Sequence, residues 1–141
     1  MNRFKDWLEQ GKTDKVRFWR LNREDVISRI RVWAETLSND PNVICVVLFG
    51  SLARGNSTAS SDADLLIILR TSDKRFDERI PDFLPSGIGV GAGVFPYTLD
   101  EANEALTEGF GVVETAFREG IWLIDKEGLK NNTRPLQMKR D

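Results

Sequence analysis

Two aspartates and a glycine–serine pair interrupt the most apolar part of the sequence. Gly50 and Ser51 directly follow the apolar run VICVVLF, and Asp62 and Asp64 stand at the start of the run DLLIIL. A strand that enters a hydrophobic core should avoid unpaired carboxylates, because burying one is costly. Two positions apart on an extended backbone, the carboxylates project to the same face. This spacing predicts that both carboxylates bind one hard cation. Mg²⁺ suits this role, because it takes oxygen ligands and commonly binds protein carboxylates and substrate phosphates at the same time.

The turn after the first apolar run has the chemistry of a phosphate site. Gly50 lets the backbone turn sharply and lets a ligand approach closely, because it has no Cβ. Ser51 offers a hydroxyl and a backbone N–H at the predicted start of a short helix, and Arg54 adds positive charge three residues later. A Gly-Ser turn or an Asp-x-Asp pair is by itself an ordinary loop feature. Together, a phosphate turn and a metal pair predict a site for a nucleoside triphosphate.

The elements that position these residues follow from the spacing of apolar residues. Val26, Ile30, Trp33 and Leu37 recur at helical spacing after Asn22, a residue type that caps helices. Thr98 and Glu101 have the spacing of a capping box at the start of a later helix. Continuous β-branched and apolar runs predict strands that are covered on both faces. The strands are predicted at Val43–Phe49, 64–69, 87–96 and Ile121–Asp125, and the other helices at 73–80, closed by Pro81, and at 112–118.

The third predicted strand contains an unusual alternation of glycines. Gly87, Gly89, Gly91 and Gly93 would present one face without side chains. If that face looks toward Asp62 and Asp64, it leaves room for a base, a peptide or another backbone; a close-packed strand is the equal alternative. The same stretch is no dinucleotide fingerprint, because VFPY follows it where that motif needs a helix.

Composition narrows the function classes. The 141 residues contain no histidine, which excludes Ser-His-Asp and Cys-His catalysis and zinc sites with histidine ligands. The single cysteine, Cys45, lies within VICVVLF and is expected to be a core residue. A net charge of −2 argues against a dedicated nucleic-acid binder, although Lys12, Arg17, Arg20 and Arg23 leave that reading as a minor alternative. No apolar run has the length of a membrane span, so a cytoplasmic protein is expected.

The element order predicts one compact α/β (α+β) domain with a mixed sheet. We expect an N-terminal helical extension over residues 1–21, the main domain over 22–125 and a C-terminal tail over 126–141. The aromatic residues of the extension, Trp7, Phe18 and Trp19, would pack against the body of the domain or a second subunit. A homo-oligomer is therefore one expected assembly.

The stretch GSLARGNSTASSDADLLIIL resembles the signature of the nucleotidyltransferase superfamily, which includes DNA polymerase beta and kanamycin nucleotidyltransferase. It is most similar to the small bacterial minimal nucleotidyltransferase (MNT) proteins, and the resemblance runs from about residue 22 to residue 125. The positions that match the family pattern are Gly50, Ser51, Ala53, Arg54, Gly55, Ser61, Asp62 and Asp64.

The resemblance implies a fold, a reaction and a partner. The fold is a small mixed β-sheet with helices packed mainly on one side. The reaction moves a nucleoside monophosphate from a triphosphate, ATP being the expected donor, to a hydroxyl, and it uses two Mg²⁺ ions. Asp62 and Asp64 would be the catalytic metal ligands, and the nucleotide phosphates would be bound by Gly50, Ser51, Arg54 and Ser61. Many MNT proteins are antitoxins paired with a helical HEPN toxin, which is the expected protein partner.

The sequence departs from the family pattern at one acidic position. The family usually has a third acid on the next strand, where this chain reads AGVFPYT with Gly93 in the acidic place, and no acid lies between Asp82 and Asp100. General-base catalysis contributes about 10²–10⁴-fold to a rate, so its loss leaves a slow enzyme or none. Two functions therefore stay open: a nucleotidyltransferase, and a binding module of the same fold that neutralises its partner by contact.

Overall fold

The computed structural model describes residues 23–55 and 62–131. The predicted N-terminal extension, the cap at Asn22, Ser61 and most of the predicted tail lie outside these residues. The strands of the described part are β1 (Val43–Phe49), β2 (Ala63–Leu69), β3 (Ala92–Thr98) and β4 (Ile121–Asp125). Its helices are α1 (residues 23–37), α2 (Ser51–Arg54), α3 (Phe76–Phe83), α4 (Leu99–Glu108) and α5 (Val112–Glu119), followed by a 3₁₀ turn at Leu129–Asn131.

The strands form one mixed sheet in the order β3-β2-β1-β4. β1 runs antiparallel to β2 and to β4, whereas β2 and β3 are parallel. A parallel pair needs a crossover connection, and the segment that contains α3 supplies it. All seven residues of β1 are buried, as its continuous apolar run predicts. The predicted α/β class with a mixed sheet is confirmed.

The helices cover both faces of the sheet. On one face α1 packs through Val26 and Ile30, with Trp33 and Leu37 partly buried against the same cluster. On the other face α4 and α5 contribute buried apolar residues, among them Leu106. The expectation that helices lie mainly on one side is therefore wrong. The physical reason is that β1 and β2 are apolar at nearly every position, so both of their faces need cover.

The predicted boundary of α3 is wrong at its C-terminal end. The helix was expected to stop before Pro81, but it continues to Phe83 with the proline inside it. A proline removes one intrahelical hydrogen bond. Ile80 and Phe83 lie on either side of the proline and pack against the core, and this packing holds the last turn in place.

The start of β3 also differs from the prediction. Gly87 and Gly89 have φ angles of 70° and 91°, which are outside the range of a strand, so the chain bends there and the strand begins only at Ala92. The strand passes Pro96 and ends at Thr98. The predicted capping box of α4 is confirmed: the Glu101 N–H donates to Thr98 Oγ1 at 3.2 Å, and the Thr98 N–H donates to Glu101 Oε1 at 2.8 Å.

Arg79 is the one charged residue that is buried within the described part of the chain. Its guanidinium donates to Lys74 O and Pro96 O, both at 3.0 Å, and to the Glu101 carboxylate at 2.5 Å. It therefore joins α3, β3 and the capping box of α4, the three elements that hold the β3 edge of the sheet.

Arg79→Ala is expected to lower the free energy of unfolding by about 3 kcal/mol, because it removes the buried hydrogen bond to Pro96 O and the ion pair with Glu101. Urea unfolding measures this, and Arg75→Ala, which removes an exposed ion pair with Asp77, is the control with little effect. The hydrogen bond from Arg79 holds the pKa of Glu101 below its ordinary value of 4.5. The loss of unfolding free energy in Arg79→Ala should therefore be largest above that pH and become smaller as the pH falls below it. An equal loss from both substitutions would contradict this role.

None of the helices in the described ranges has the length and apolar character to cross a lipid bilayer.

Candidate functional site

The sheet brings the two halves of the motif together at the end of β1. Phe49, the last residue of β1, is the register partner of Asp64 in β2. On its other side Asp64 is the partner of Gly93 in β3. Asp64 therefore lies in the middle of three adjacent strands, and the Gly50–Ser51 turn begins next to it.

The turn lies directly against the Asp64 carboxylate. Gly50 has a φ of 80°, and a Cβ at this position would overlap Asp64 Oδ2. Only glycine adopts this backbone conformation easily and also leaves space for the carboxylate. Ser51 then begins α2, which is anchored by the fully buried side chain of Leu52. The predicted juxtaposition of the turn and the acid is present in the structure.

The second acid lies beside the glycines of the β3 edge. Asp62 is exposed and immediately precedes β2, and the next residue, Ala63, donates its N–H to Gly91 O at 2.9 Å. A Cβ at Gly91 would lie 2.6 Å from Asp62 Oδ1, and a Cβ at Gly93 would lie 3.6 Å from Asp64 Oδ1. The predicted side-chain-free face thus exists at Gly91 and Gly93 and looks toward both acids.

The electrostatics of the pair favour a bound cation. Burial raises the pKa of Asp64, the neighbouring Asp62 charge raises it further, and Arg54 opposes both effects. Two carboxylates that repel each other at the edge of a core are stabilised by a hard divalent ion. Mg²⁺ is usually bound by one or two protein carboxylates, with water molecules and substrate phosphates as its other ligands. The two carboxylates of this site therefore suit Mg²⁺. Among the described residues, no group of three or more acidic, cysteine or histidine side chains is placed to hold a metal.

Asp64→Asn is expected to raise the melting temperature of the metal-free protein at neutral pH. The folded state holds the pKa of Asp64 above its unfolded value, so the charged carboxylate destabilises the fold once the pH exceeds that pKa, and the amide removes this cost. In saturating concentrations of Mg²⁺ and a triphosphate, the wild type should have the higher melting temperature, because only the wild type gains binding free energy. Thermal unfolding with and without Mg²⁺ measures both effects. A lower melting temperature for the metal-free variant would contradict them.

Gly93 occupies the place of the expected third acid. Its Cα pairs with that of Asp64, and a Cβ there would lie 3.5 Å from the Phe95 ring, an ordinary contact distance. A Cβ at this position would also lie 3.6 Å from Asp64 Oδ1, so it fits without a steric clash on the side of the Asp64 carboxylate. The strand register therefore places Gly93 beside Asp64, which is where the family pattern has its third acid and this sequence has none.

Of the other predicted site residues, the structure describes Arg54 and Ser51 but not Ser61. Arg54 ends α2, half-exposed, and its Nη1 lies 2.7 Å from Glu119 Oε1. Ser51 lies in the first turn of the same helix, and Ser61 is outside the described residues. Sequence reasoning missed the roles of Glu119 and Arg23, because both contact α2 from distant parts of the chain, and no local pattern encodes such contacts.

Comparisons with known proteins bear on the same stretch. The family model described as polymerase beta, nucleotidyltransferase, matches residues 33–81, which contain both halves of the motif. No curated protein matches the sequence significantly. A solved structure from Sulfolobus solfataricus, provisionally assigned as a nucleotidyltransferase, aligns with a TM-score of 0.50 and 19% identity over 76% of this chain and 86% of that chain. A toxin–antitoxin structure with AMP-PNP aligns with a TM-score of 0.43 and 19% identity over 74% of this chain and 73% of that chain.

The family match covers the motif, and the Sulfolobus structure shares the fold of the domain around it. The resemblance drawn from the sequence is thereby confirmed: residues 33–81, which contain the motif, match the nucleotidyltransferase family model.

Proposed function

We propose that this protein is a Mg²⁺-dependent nucleotidyltransferase that moves a nucleoside monophosphate from a triphosphate, with ATP as the first candidate, to a hydroxyl. The observation that carries the proposal is the contact between the Gly50–Ser51 turn and Asp64, with Asp62 beside it. A phosphate-binding turn and a carboxylate pair are thus separated by less than the width of one side chain. A metal ion held by the carboxylates would therefore lie beside a phosphate bound at the turn, and Mg²⁺ commonly binds protein carboxylates and substrate phosphates together.

The residues have distinct tasks in this reaction. Asp62 and Asp64 would hold Mg²⁺, which supplies charge neutralisation at the triphosphate. The Ser51 hydroxyl and the backbone N–H groups of the turn would bind the β- and γ-phosphates, and Arg54 would add charge from the end of α2. With the phosphates held there, the acceptor hydroxyl attacks the α-phosphorus. The bond from the α-phosphorus to the β-bridging oxygen breaks, and pyrophosphate leaves.

Strand β3 has no carboxylate that could accept the proton of the attacking hydroxyl. Gly93 stands where the family places a third acid, so we propose that the proton passes to water and that the transfer is slow. This observation also favours a second candidate, a binding module that acts on its partner by contact alone. For both candidates we propose a HEPN-type toxin as the partner, on the strength of the motif's resemblance to MNT antitoxins, and the hydroxyl acceptor would then lie on that toxin.

A labelling experiment tests the proposal. The protein and its partner are incubated with triphosphates labelled at the α- or the γ-phosphate, in Mg²⁺ or in EDTA. The expected result is Mg²⁺-dependent transfer of the α-label to the partner, without the γ-label, which excludes a kinase reaction. If no triphosphate gives α-label transfer, while Asp62→Asn still neutralises the partner, the contact-only module is the correct function.

A further inference from the structure

We infer that Arg23 is a positioning residue for the triphosphate: its guanidinium holds the backbone of α2 and, through it, the Gly50–Ser51 turn. The inference rests on the proposed function, because the turn is the proposed phosphate site. Arg23 itself lies on α1 and binds the end of α2 that is remote from Gly50, so it acts on the phosphates through the backbone rather than by contact.

Arg23 donates hydrogen bonds to carbonyl groups at the C-terminal end of α2. Within this four-residue helix, Arg54 N–H donates to Gly50 O and Gly55 N–H donates to Ser51 O. The next two carbonyl oxygens, those of Leu52 and Ala53, accept hydrogen bonds from Arg23. Its Nε and Nη2 donate to Leu52 O at 3.0 and 2.7 Å, and Nη2 also reaches Ala53 O at 3.4 Å.

A helix of one turn depends on such external contacts. Forming a first helical turn is unfavourable because few hydrogen bonds offset the lost backbone freedom. In this protein α2 is held by the buried side chain of Leu52, by the packing of Gly50 against Asp64, and by Arg23. Leu52 fixes the position of the helix in the core, and the contact of Gly50 with Asp64 fixes its start. Arg23 restrains the other end of the helix, and together these contacts set the direction of the Ser51 backbone N–H.

The part of α1 that carries Arg23 is itself held in place by the core. Val26, which follows Arg23 by about one helical turn, is buried, as is Ile30. These residues pack α1 against the sheet that carries Asp64. Arg23 therefore ties the phosphate turn to the same core that positions the acids, and it keeps the two halves of the site in register.

The test measures triphosphate binding to full-length variants by calorimetry, with ATP and Mg²⁺ as the probe. Arg23→Ala should weaken binding by up to about tenfold, because the free energy with which its charge-assisted hydrogen bonds order the turn must then be supplied on binding, and Arg23→Lys should recover part of the affinity. Millimolar guanidinium should restore the affinity of Arg23→Ala by occupying the vacated site. Arg29→Ala is the matched control on the same helix, since Arg29 pairs with the exposed Asp25, and it should bind as the wild type does.

The outcomes separate the inference from the proposed function. If the wild type binds and Arg23→Ala binds equally well, Arg23 has no positioning role. The same conclusion follows if Arg23→Ala loses affinity only in parallel with its melting temperature and guanidinium does not restore it, because the role is then purely structural. If the wild type itself does not bind ATP with Mg²⁺, the proposed function fails and the inference fails with it.

Discussion

Gly93→Asp is expected to raise the rate of nucleotidyl transfer by about 10²-fold or more, the contribution that a positioned general base makes. The register places this residue opposite Asp64, and a Cβ there meets only ordinary contacts. The new carboxylate would join the acid pair and accept the proton of the attacking hydroxyl. The measurement is the initial rate of α-label transfer at saturating Mg²⁺ and triphosphate.

Two control variants separate the charge from the added volume. Gly93→Asn has nearly the same size and shape as Gly93→Asp but cannot accept the proton, so its rate should stay at the level of the wild type. Gly93→Ala tests whether a Cβ alone disturbs β3. If Gly93→Asp folds, binds the triphosphate and yet transfers no faster than Gly93→Asn, then the missing third carboxylate does not limit this site.

Asp62→Asn and Asp64→Asn should each reduce nucleotidyl transfer by at least about 10²-fold, because a metal clamp stabilises the developing charge by several kcal/mol. An amide keeps the shape of each side chain but removes the charge that Mg²⁺ requires. Asp73→Asn, an exposed acid beyond the opposite end of β2, is the matched control and should retain the wild-type rate.

The stability of the variants makes this result easy to interpret. Removal of the charge at Asp64 should raise the melting temperature of the metal-free protein, so a lost rate in Asp64→Asn cannot be attributed to unfolding; a melting curve of Asp62→Asn provides the same control for that variant. Full activity in either variant would contradict the assignment of the acid pair as metal ligands. Loss in one variant only would indicate that a single carboxylate, rather than the pair, holds the ion.

Much of the fold could be predicted because its central elements have strong local signals. The bounds of β1 follow from seven consecutive apolar residues, all of which are buried. The start of α4 follows from the capping box at Thr98, and α5 ends at Glu119, directly before Gly120. In each case the local chemistry of the sequence and the tertiary packing favour the same structure.

The errors arose where the local sequence carries no signal or where tertiary packing outweighs its signal. Glycines carry no side chain that records burial, so Gly87 and Gly89 had the alternation of a strand although their backbone bends. Pro81 is a strong helix breaker, but the packing of Phe83 against the core outweighs it. The cover of both sheet faces depends on which helix crosses which face, and this topology is not encoded in any one segment.

For the site, the motif predicted that the turn and the acids meet, but not what holds them there. The contact of Arg23 with Leu52 joins residues 29 positions apart, and that of Arg54 with Glu119 joins residues 65 positions apart. Spacing rules apply within one helix or strand, so contacts of this range emerge only from the folded chain.

The central claim is that the Gly50–Ser51 turn and the Asp62–Asp64 pair bind one triphosphate and its metal ion together. A calorimetric titration of the wild-type protein with ATP, in Mg²⁺ and in EDTA, tests this most directly. We expect saturable one-site binding that requires Mg²⁺. Binding of equal strength in EDTA, or no binding in either buffer, would contradict it.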